Sequence, residues 1–171
     1  MFQRFYNIWS IFLLAGAFLL DMQITTFATN LAPGTIFITS HLLLMIGIFS
    51  TLYLSSAYAI ALFSLFGLLY DIYYFEIVGL ATLLFPLVVG VMYYFYRHLL
   101  FKKWTNQLLL LVVIFIFDFV AFLLGRLFGL TNLSMYIFVF YNLAPSLLFN
   151  SLLLLVLQPL LNKCYGITNK I

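Results

Sequence analysis

Apolar residues occur in long runs along this chain, and short polar stretches separate the runs. Most runs are about 20 residues long, which is the length that an α-helix needs to cross the hydrocarbon core of a bilayer. The pattern predicts six transmembrane helices in a single polytopic domain, residues 1–171. Their approximate ranges are 5–27, 36–54, 57–75, 77–96, 107–127 and 135–160.

Polar and turn-forming residues set the boundaries between these helices. Asn30 to Gly34 reads as a turn that ends the first helix, and Glu76 marks the turn between the third and fourth. The stretch Arg97 to Asn106 is the one strongly polar connection. A cleaved signal peptide with Ala28 near the cut is the alternative for the first helix. The hydrophobicity of the remaining chain favours a retained helix instead.

Composition leaves little room for other classes of protein. The chain is 67% apolar and 6% charged, whereas a soluble domain carries about 25% charged residues. Its seven basic residues are scattered between apolar runs and form no patch that could follow a nucleic-acid backbone. The sequence therefore predicts an all-α membrane protein that does not bind nucleic acid.

The distribution of basic residues predicts the orientation in the membrane. Six of the seven fall on one side of the six-helix arrangement, and only Arg126 falls on the other. The six are Arg4, Arg97, Lys102, Lys103, Lys163 and Lys170. Because basic residues are enriched in cytoplasmic loops, we expect both termini in the cytoplasm. An arrangement of five helices would place the tail lysines outside.

Four polar residues are expected between the membrane midplane and its outer surface: Asp21, Asp71, Asp118 and Asn142. In one interpretation, Asp21 and Asp71 reach the outer headgroups and Asp118 bonds to Asn or Ser on a neighbouring helix. In the other, Asp71, Asp118, Asn142 and Arg126 build an outward-facing polar pocket or partner groove. The sequence alone favours the first interpretation.

Signatures of catalysis or metal binding are missing from the sequence. His41 is a lone histidine without a spaced acid, so we expect a hydrogen bond between packed helices rather than a base or ligand. The single Cys164 excludes an internal disulfide. No phosphate-binding, zinc or nucleophile motif occurs. We expect a protein that is not an enzyme and has no cofactor or metal; an embedded hydrolase or proton-coupled enzyme is the weakest alternative.

Two short motifs carry a resemblance to a known family. The first is Gly67-x3-Asp71-x7-Gly79, and the second is Pro145 followed five residues later by Asn150 in the last helix. Together with the small size, the six helices and the basic loop after the fourth helix, they resemble the rod shape-determining protein MreD family. The resemblance extends over nearly the whole chain and is greatest for streptococcal-type members.

The resemblance implies a non-enzymatic scaffold subunit of the machinery that elongates the peptidoglycan wall in the bacterial plasma membrane. Its partners would be MreC, which has one membrane span, and through MreC the transglycosylase and transpeptidase of the elongation complex. The MreB filament is an uncertain partner here. The implied fold is similar to the substrate-binding subunits of energy-coupling-factor transporters. That similarity keeps a small-molecule binding subunit of a transporter as the alternative function.

The resemblance singles out Gly67, Asp71, Gly79, Pro145 and Asn150, and we infer their roles from physical principles. We expect Gly67 and Gly79 to allow close approach of the third and fourth helices, and Asp71 to orient or pair near the outer face. Pro145, placed before Asn150, should free a backbone carbonyl for a neighbouring polar group. The outer polar groups and the third and fourth helices would form the docking surface for the partner's transmembrane helix.

Overall fold

The structure is a computed structural model that describes residues 2–31, 34, 36–75, 78–98 and 103–165. The predicted turn at Glu76 and the basic residues Lys102 and Lys170 lie outside them. Within this part of the chain there are six α-helices and no strand. The helices are α1 Phe2–Asn30, α2 Leu42–Ser50, α3 Ser56–Tyr70, α4 Leu80–His98, α5 Lys103–Leu127 and α6 Met135–Cys164. A π-helical turn extends α3 over Asp71–Phe75, and another lies within α6 at Val139–Leu143.

Four of these helices are long and apolar enough to cross a membrane. Their spans are Ile8–Asn30 in α1, Ser56–Tyr74 in α3 with its π turn, Trp104–Leu127 in α5 and Met135–Cys164 in α6. The apolar part of α4, Leu80–Phe95, is shorter. The prediction of an all-helical membrane protein is confirmed, and apart from α2 the helix boundaries lie within about four residues of the predicted ones.

The predicted second helix, 36–54, is wrong at both ends. The helix α2 has nine residues, Leu42–Ser50, and residues 36–41 before it are not helical. At about 3.3 Å per residue for the extended part and 1.5 Å per residue for the helix, residues 36–50 reach about 33 Å. This length is close to the thickness of the hydrocarbon core, although only nine residues are helical.

The short helix α2 lies at the centre of the bundle. All nine of its residues are buried, and it contacts α1, α5 and α6. Gly47 faces α3, where an added Cβ would come within 2.5 Å of the Phe63 ring. The other helices surround α2 and turn most of their exposed apolar side chains outward.

The two ends of the bundle differ in what they contain. We call the end with residues 128–134 the loop end; α1 and α5 finish there. At the opposite, terminal end, Ser10 of α1 meets Tyr165 beyond α6, with 3.4 Å between their hydroxyl oxygens. Tyr53, after α2, donates to the Tyr165 carbonyl at 2.6 Å. Both ends of the described chain therefore lie at the same end of the bundle.

A buried polar cluster beside a cavity

The non-helical segment 36–41 takes its hydrogen bonds from the two helices on either side of it. The amides of Ile38 and Ser40 donate to Thr29 and Thr25 of α1, at 3.1 and 2.8 Å. Residues four positions apart on α1, just over one helical turn, are separated by a rise of about 6 Å, and two residues of extended chain rise about 6.6 Å. A threonine every four residues therefore matches every second residue of the segment.

The alternate amides of the same segment bond to α6. The Thr39 amide donates to the Ser146 hydroxyl at 3.0 Å, and the His41 amide donates to the side-chain oxygen Oδ1 of Asn150 at 2.8 Å. The Asn150 amide group donates in return to the Thr39 carbonyl at 2.7 Å. Each amide from residue 37 to residue 41 is thus satisfied without a helix or a sheet, as a chain away from water requires.

Pro145 leaves an acceptor free for the amide of Phe37. It has no N–H, so the carbonyl four residues earlier, that of Tyr141, lacks its usual helical donor. The Phe37 amide donates to this carbonyl at 2.8 Å. The carbonyl that Pro145 leaves free, which lies in the π turn of α6, therefore anchors the start of the segment.

Asp21 of α1 caps the amino-terminal end of α2 from another helix. One carboxylate oxygen accepts from the Leu42 amide at 2.6 Å and from the Ser40 hydroxyl at 2.8 Å. The other accepts from the Leu43 amide and from the Tyr70 hydroxyl. Asp21 is 2% exposed, so the expectation that it reaches the outer headgroups is wrong. Four donors and the positive end of the α2 dipole stabilise the carboxylate in place of water.

Asp118 of α5 pairs with His41 rather than with Asn or Ser. The Nε2 atom of His41 lies 3.0 Å from Oδ1 and 3.2 Å from Oδ2 of Asp118, and both side chains are almost fully buried. The Phe117 ring lies edge-on to the imidazole, with 5.5 Å between the ring centroids. His41 does bond between packed segments, as expected, but its partner is an acid that the sequence does not place beside it.

Asp71 is part of a different structure, the hairpin of α3 and α4. It accepts from the amides of Gly79, Ala81 and Thr82 at 2.8, 2.7 and 3.0 Å, and from the Thr82 hydroxyl at 2.6 Å. It thereby caps α4, and its side chain is fully buried. Asp71 therefore neither reaches the lipid headgroups nor pairs with Arg126, contrary to the two interpretations of the sequence.

Two glycines make this cap possible. A Cβ at Gly67 would lie 2.6 Å from the Ala81 carbonyl oxygen, so the two helices touch at their backbones there. Gly79 has a φ of +121°, which favours glycine. The motif Gly67-x3-Asp71-x7-Gly79 therefore describes one close-packed and capped hairpin.

The predicted polar pocket of Asp71, Asp118, Asn142 and Arg126 is not assembled as a set. Asp118 and Asn142 line one cavity, whereas Asp71 lies in the hairpin. Arg126 is exposed in the last turn of α5 and makes no ion pair with any side chain that the structure describes. The arrangement with Arg126 is wrong because Arg126 is exposed and does not line the cavity that Asp118 and Asn142 share.

We call the segment 36–41 and the side chains that bond to it the polar cluster. The cavity lies between this cluster and the loop end and has a volume of about 470 Å³. Asp21, Thr39, Ser40 and His41 of the cluster contribute to its polar side. Aromatic and aliphatic side chains form the rest of its wall, and residues 130, 131 and 133 bring it to the loop end. This volume is typical of small-molecule sites. The described residues hold no group of three or more His, Cys, Asp or Glu that could bind a metal ion.

Asp21 and His41 were not predicted as parts of the site, and neither was a stripe of threonines, Thr25 and Thr29, on α1. A signal for the stripe is present: Asp21, Thr25 and Thr29 recur every four residues and so share one face of α1. Such a polar stripe on an otherwise apolar membrane helix indicates a buried partner with unpaired backbone groups.

A bundle of long apolar helices around a buried polar segment defines a polytopic α-helical membrane protein. Residues 3–167 match the family model of the rod shape-determining protein MreD. The chain belongs to this family. It is also 33% identical over 156 residues to the cell shape-determining protein MreD of Streptococcus pneumoniae, a match that covers 91% of this chain and 94% of the relative. No solved structure matches the chain at a significant level.

Proposed function

We propose that the chain is a non-enzymatic scaffold subunit of the cell-wall elongation machinery. Membership of the family gives it a role in cell shape. In the proposal it binds MreC and, through MreC, the transglycosylase and transpeptidase of peptidoglycan synthesis. The observation that carries the proposal is the apolar exterior of the bundle, where large apolar side chains are exposed along the helices. Such an exterior offers a surface for other membrane helices.

We place the protein in the bacterial plasma membrane with both termini in the cytoplasm. Both ends of the described chain meet at the terminal end, which requires an even number of crossings. The basic residues favour that end as the cytoplasmic one. The loop end and the cavity then face the outside, and residues 36–50 together with α4 complete six crossings. A protease site inserted at Thr131 and cleaved from outside in intact cells tests this orientation.

A stripe on α4 is our candidate for the face that docks the partner's transmembrane helix. Leu83, Leu87, Gly90 and Tyr94 are all exposed, and their spacing of four, three and four residues puts them in one line. An added Cβ at Gly90 would meet nothing within 4 Å. A small residue on an exposed line lets a second helix approach closely in lipid. This assignment keeps the α3–α4 hairpin as the dock but takes Asp71 out of it, because Asp71 is buried.

The test is a pair of matched glycine substitutions. Gly90→Leu should lower the amount of MreC that copurifies in mild detergent at least tenfold, because the added side chain keeps the partner helix away. Gly16→Leu is the control: Gly16 also lies in a helix with nothing within 4 Å of an added Cβ. Neither added Cβ meets another part of the chain, so we expect both variants to fold. Equal copurification with the two variants would remove the α4 stripe as the dock, and copurification of no MreC with the unaltered chain would remove the scaffold function.

A small-molecule binding subunit of a transporter is the second candidate function. The cavity of about 470 Å³, with polar groups on one side and apolar groups on the other, favours it. We also propose the similarity of the fold to the substrate-binding subunits of energy-coupling-factor transporters on this basis. A bound small molecule in the purified protein would support this function and leave MreC binding to be judged separately.

A further inference from the structure

We propose that the cavity binds an amphiphile with a primary ammonium group, which lies against Asp118 while the apolar body lies along the aromatic wall. This inference rests on the second candidate function and does not depend on MreC binding. The shared chemistry is an ammonium head on an apolar body, which an aminophospholipid or a free long-chain amine both supply.

The described residues that line the cavity include two acids and no lysine or arginine. Two carboxylates, Asp21 and Asp118, face one imidazole, that of His41. Asp21 is already stabilised by its four donors and the α2 dipole, so the charge that remains for a ligand is that of Asp118; with a neutral imidazole it has no opposite charge among these lining residues. Arg126, two turns beyond Asp118, is exposed and does not line the cavity. Because an uncompensated charge away from water is costly, the site favours a positively charged ligand.

Asp118 and Asn142 are acceptors that remain available to a ligand. Asp21 already accepts four hydrogen bonds, so its lone pairs in the carboxylate plane are occupied. Asp118 accepts from His41 alone among the described residues and keeps lone pairs for further donors. The side chain of Asn142, which also lines the cavity, makes no hydrogen bond with the described part of the chain. An ammonium group has three donors and no acceptor, which fits the free oxygens of these two side chains.

The wall of the cavity away from the polar groups is apolar. Phe117, Phe122 and Phe138 line it, and the rings of Phe122 and Phe138 stack with their centroids 4.1 Å apart. Leu130 and Leu133 continue the apolar surface toward the loop end. Aromatic faces attract cations and an aliphatic chain packs well against them. A fully hydrated ion would leave this wall unmatched.

Binding is tested with the full-length protein in mild detergent and three probes of equal chain length: dodecylammonium, dodecanol and dodecyl sulfate. Native mass spectrometry counts the bound probe, and thermal unfolding measures the stabilisation. We expect saturable binding of one dodecylammonium with a Kd at least tenfold lower than that of dodecanol, and no saturable binding of dodecyl sulfate. Equal binding of the amine and the alcohol would overturn the inference.

Two variants locate the bound amine. Asp118→Asn should raise its Kd at least tenfold. Ala121→Phe fills the cavity without altering a polar group, since Ala121 lines the cavity one turn beyond Asp118; it should abolish saturable binding even if Asp118→Asn does not fold. Ala61→Phe, at an exposed position of α3, is the control and should bind normally. Unchanged binding in Ala121→Phe would overturn the location.

The source of the head group is separated by reconstitution. Protein is extracted from nanodiscs that contain either phosphatidylethanolamine or phosphatidylglycerol, and the lipid retained by the unaltered chain is identified. Retained phosphatidylethanolamine that dodecylammonium displaces indicates a lipid, whereas an empty cavity that still binds the free amine indicates a soluble amine. MreC copurification is measured in parallel, so a failure of amine binding leaves the scaffold function intact.

Discussion

Buried polar side chains toward the loop end of the bundle have specific hydrogen-bond partners, whereas several of those at the terminal end have none among the described residues. At the loop end, Asp21, Asp71 and Asn150 use their oxygens for specific backbone amides. At the terminal end, both side-chain atoms of Asn106 and one oxygen each of Gln158 and Asn162 are buried without a partner among the described residues. The polar groups of the loop end are therefore essential to the fold, and several of those at the terminal end are not.

The backbone explains the difference. At the loop end the chain enters the bundle without helical hydrogen bonds, so side chains must satisfy its amides. At the terminal end, α5 and α6 satisfy their own backbones, and aromatic packing of Tyr53 on Tyr165 joins the segment after α2 to the end of α6. Burial raises the pKa of the Tyr165 phenol to about 12. Its hydroxyl consequently stays protonated and donates to Ser10.

The largest effect is expected at Asp21. Asp21→Ala removes the acceptor for the Leu42 and Leu43 amides and for the Ser40 and Tyr70 hydroxyls at once. Several buried donors without partners should lower the free energy of unfolding by at least about 3 kcal/mol. Unfolding in mixed detergent micelles measures it. Asp21→Asn keeps one acceptor oxygen and should lose less; equal losses for Ala and Asn would contradict the capping role.

Next in size is the close approach of α3 and α4 at Gly67. In Gly67→Ala, the added methyl group would press on the backbone of Ala81 and Thr82, so the hairpin has to open. We expect a loss of about 2 kcal/mol in the same unfolding assay. Gly90→Ala is the matched control, because its Cβ meets open space and its helix propensity improves by up to about 1 kcal/mol. A neutral Gly67→Ala would show that the helices are not in contact there.

A smaller effect is expected at Thr25. Thr25→Val preserves the shape but removes the acceptor for the Ser40 amide, at a cost of about 1 kcal/mol. Thr26→Val, one residue further on, should change the stability by less than about 0.5 kcal/mol, because the exposed Thr26 hydroxyl bonds only to its own helix. If the two substitutions have equal effects, the threonine stripe does not hold the segment.

The smallest effect, with the opposite sign, is expected at the terminal end. Asn106→Leu replaces a buried amide that has no partner among the described residues, so the stability should stay equal or rise by about 1 kcal/mol. The neighbouring Gln107→Leu should lower it, because Gln107 bonds to Ser151 in both directions, each at 3.3 Å. A loss in Asn106→Leu comparable to that in Gln107→Leu would remove the contrast between the two ends.

Local pattern was enough to predict the long helices and the α3–α4 hairpin. Each membrane helix satisfies its own backbone, so its existence follows from a run of apolar residues. The parts of the hairpin motif lie within 12 residues, and Gly67 and Gly79 point to a tight connection from their identity alone.

The segment 36–41 could not be predicted in this way. Its apolar residues continue a helical pattern, and what keeps it extended comes from Thr25 and Thr29 on one side and from a helix about 107 residues later on the other. The pairing of His41 with Asp118 has the same cause, since the two are 77 residues apart. Placing charges by helix depth alone left Asp71 at the surface, because depth says nothing about which side of a helix faces a neighbour.

The sequence distance between the two sides of this segment affects how the protein is made. When residues 36–41 leave the ribosome, the last helix has not been synthesised, and the acceptors of three of the five amides from residue 37 to residue 41 do not yet exist. We therefore expect the segment to stay at the lipid headgroups until residue 150 is inserted. Nascent chains that stop before α6 should remain incompletely integrated and be cleared by membrane proteases, even though their first helices are already in place.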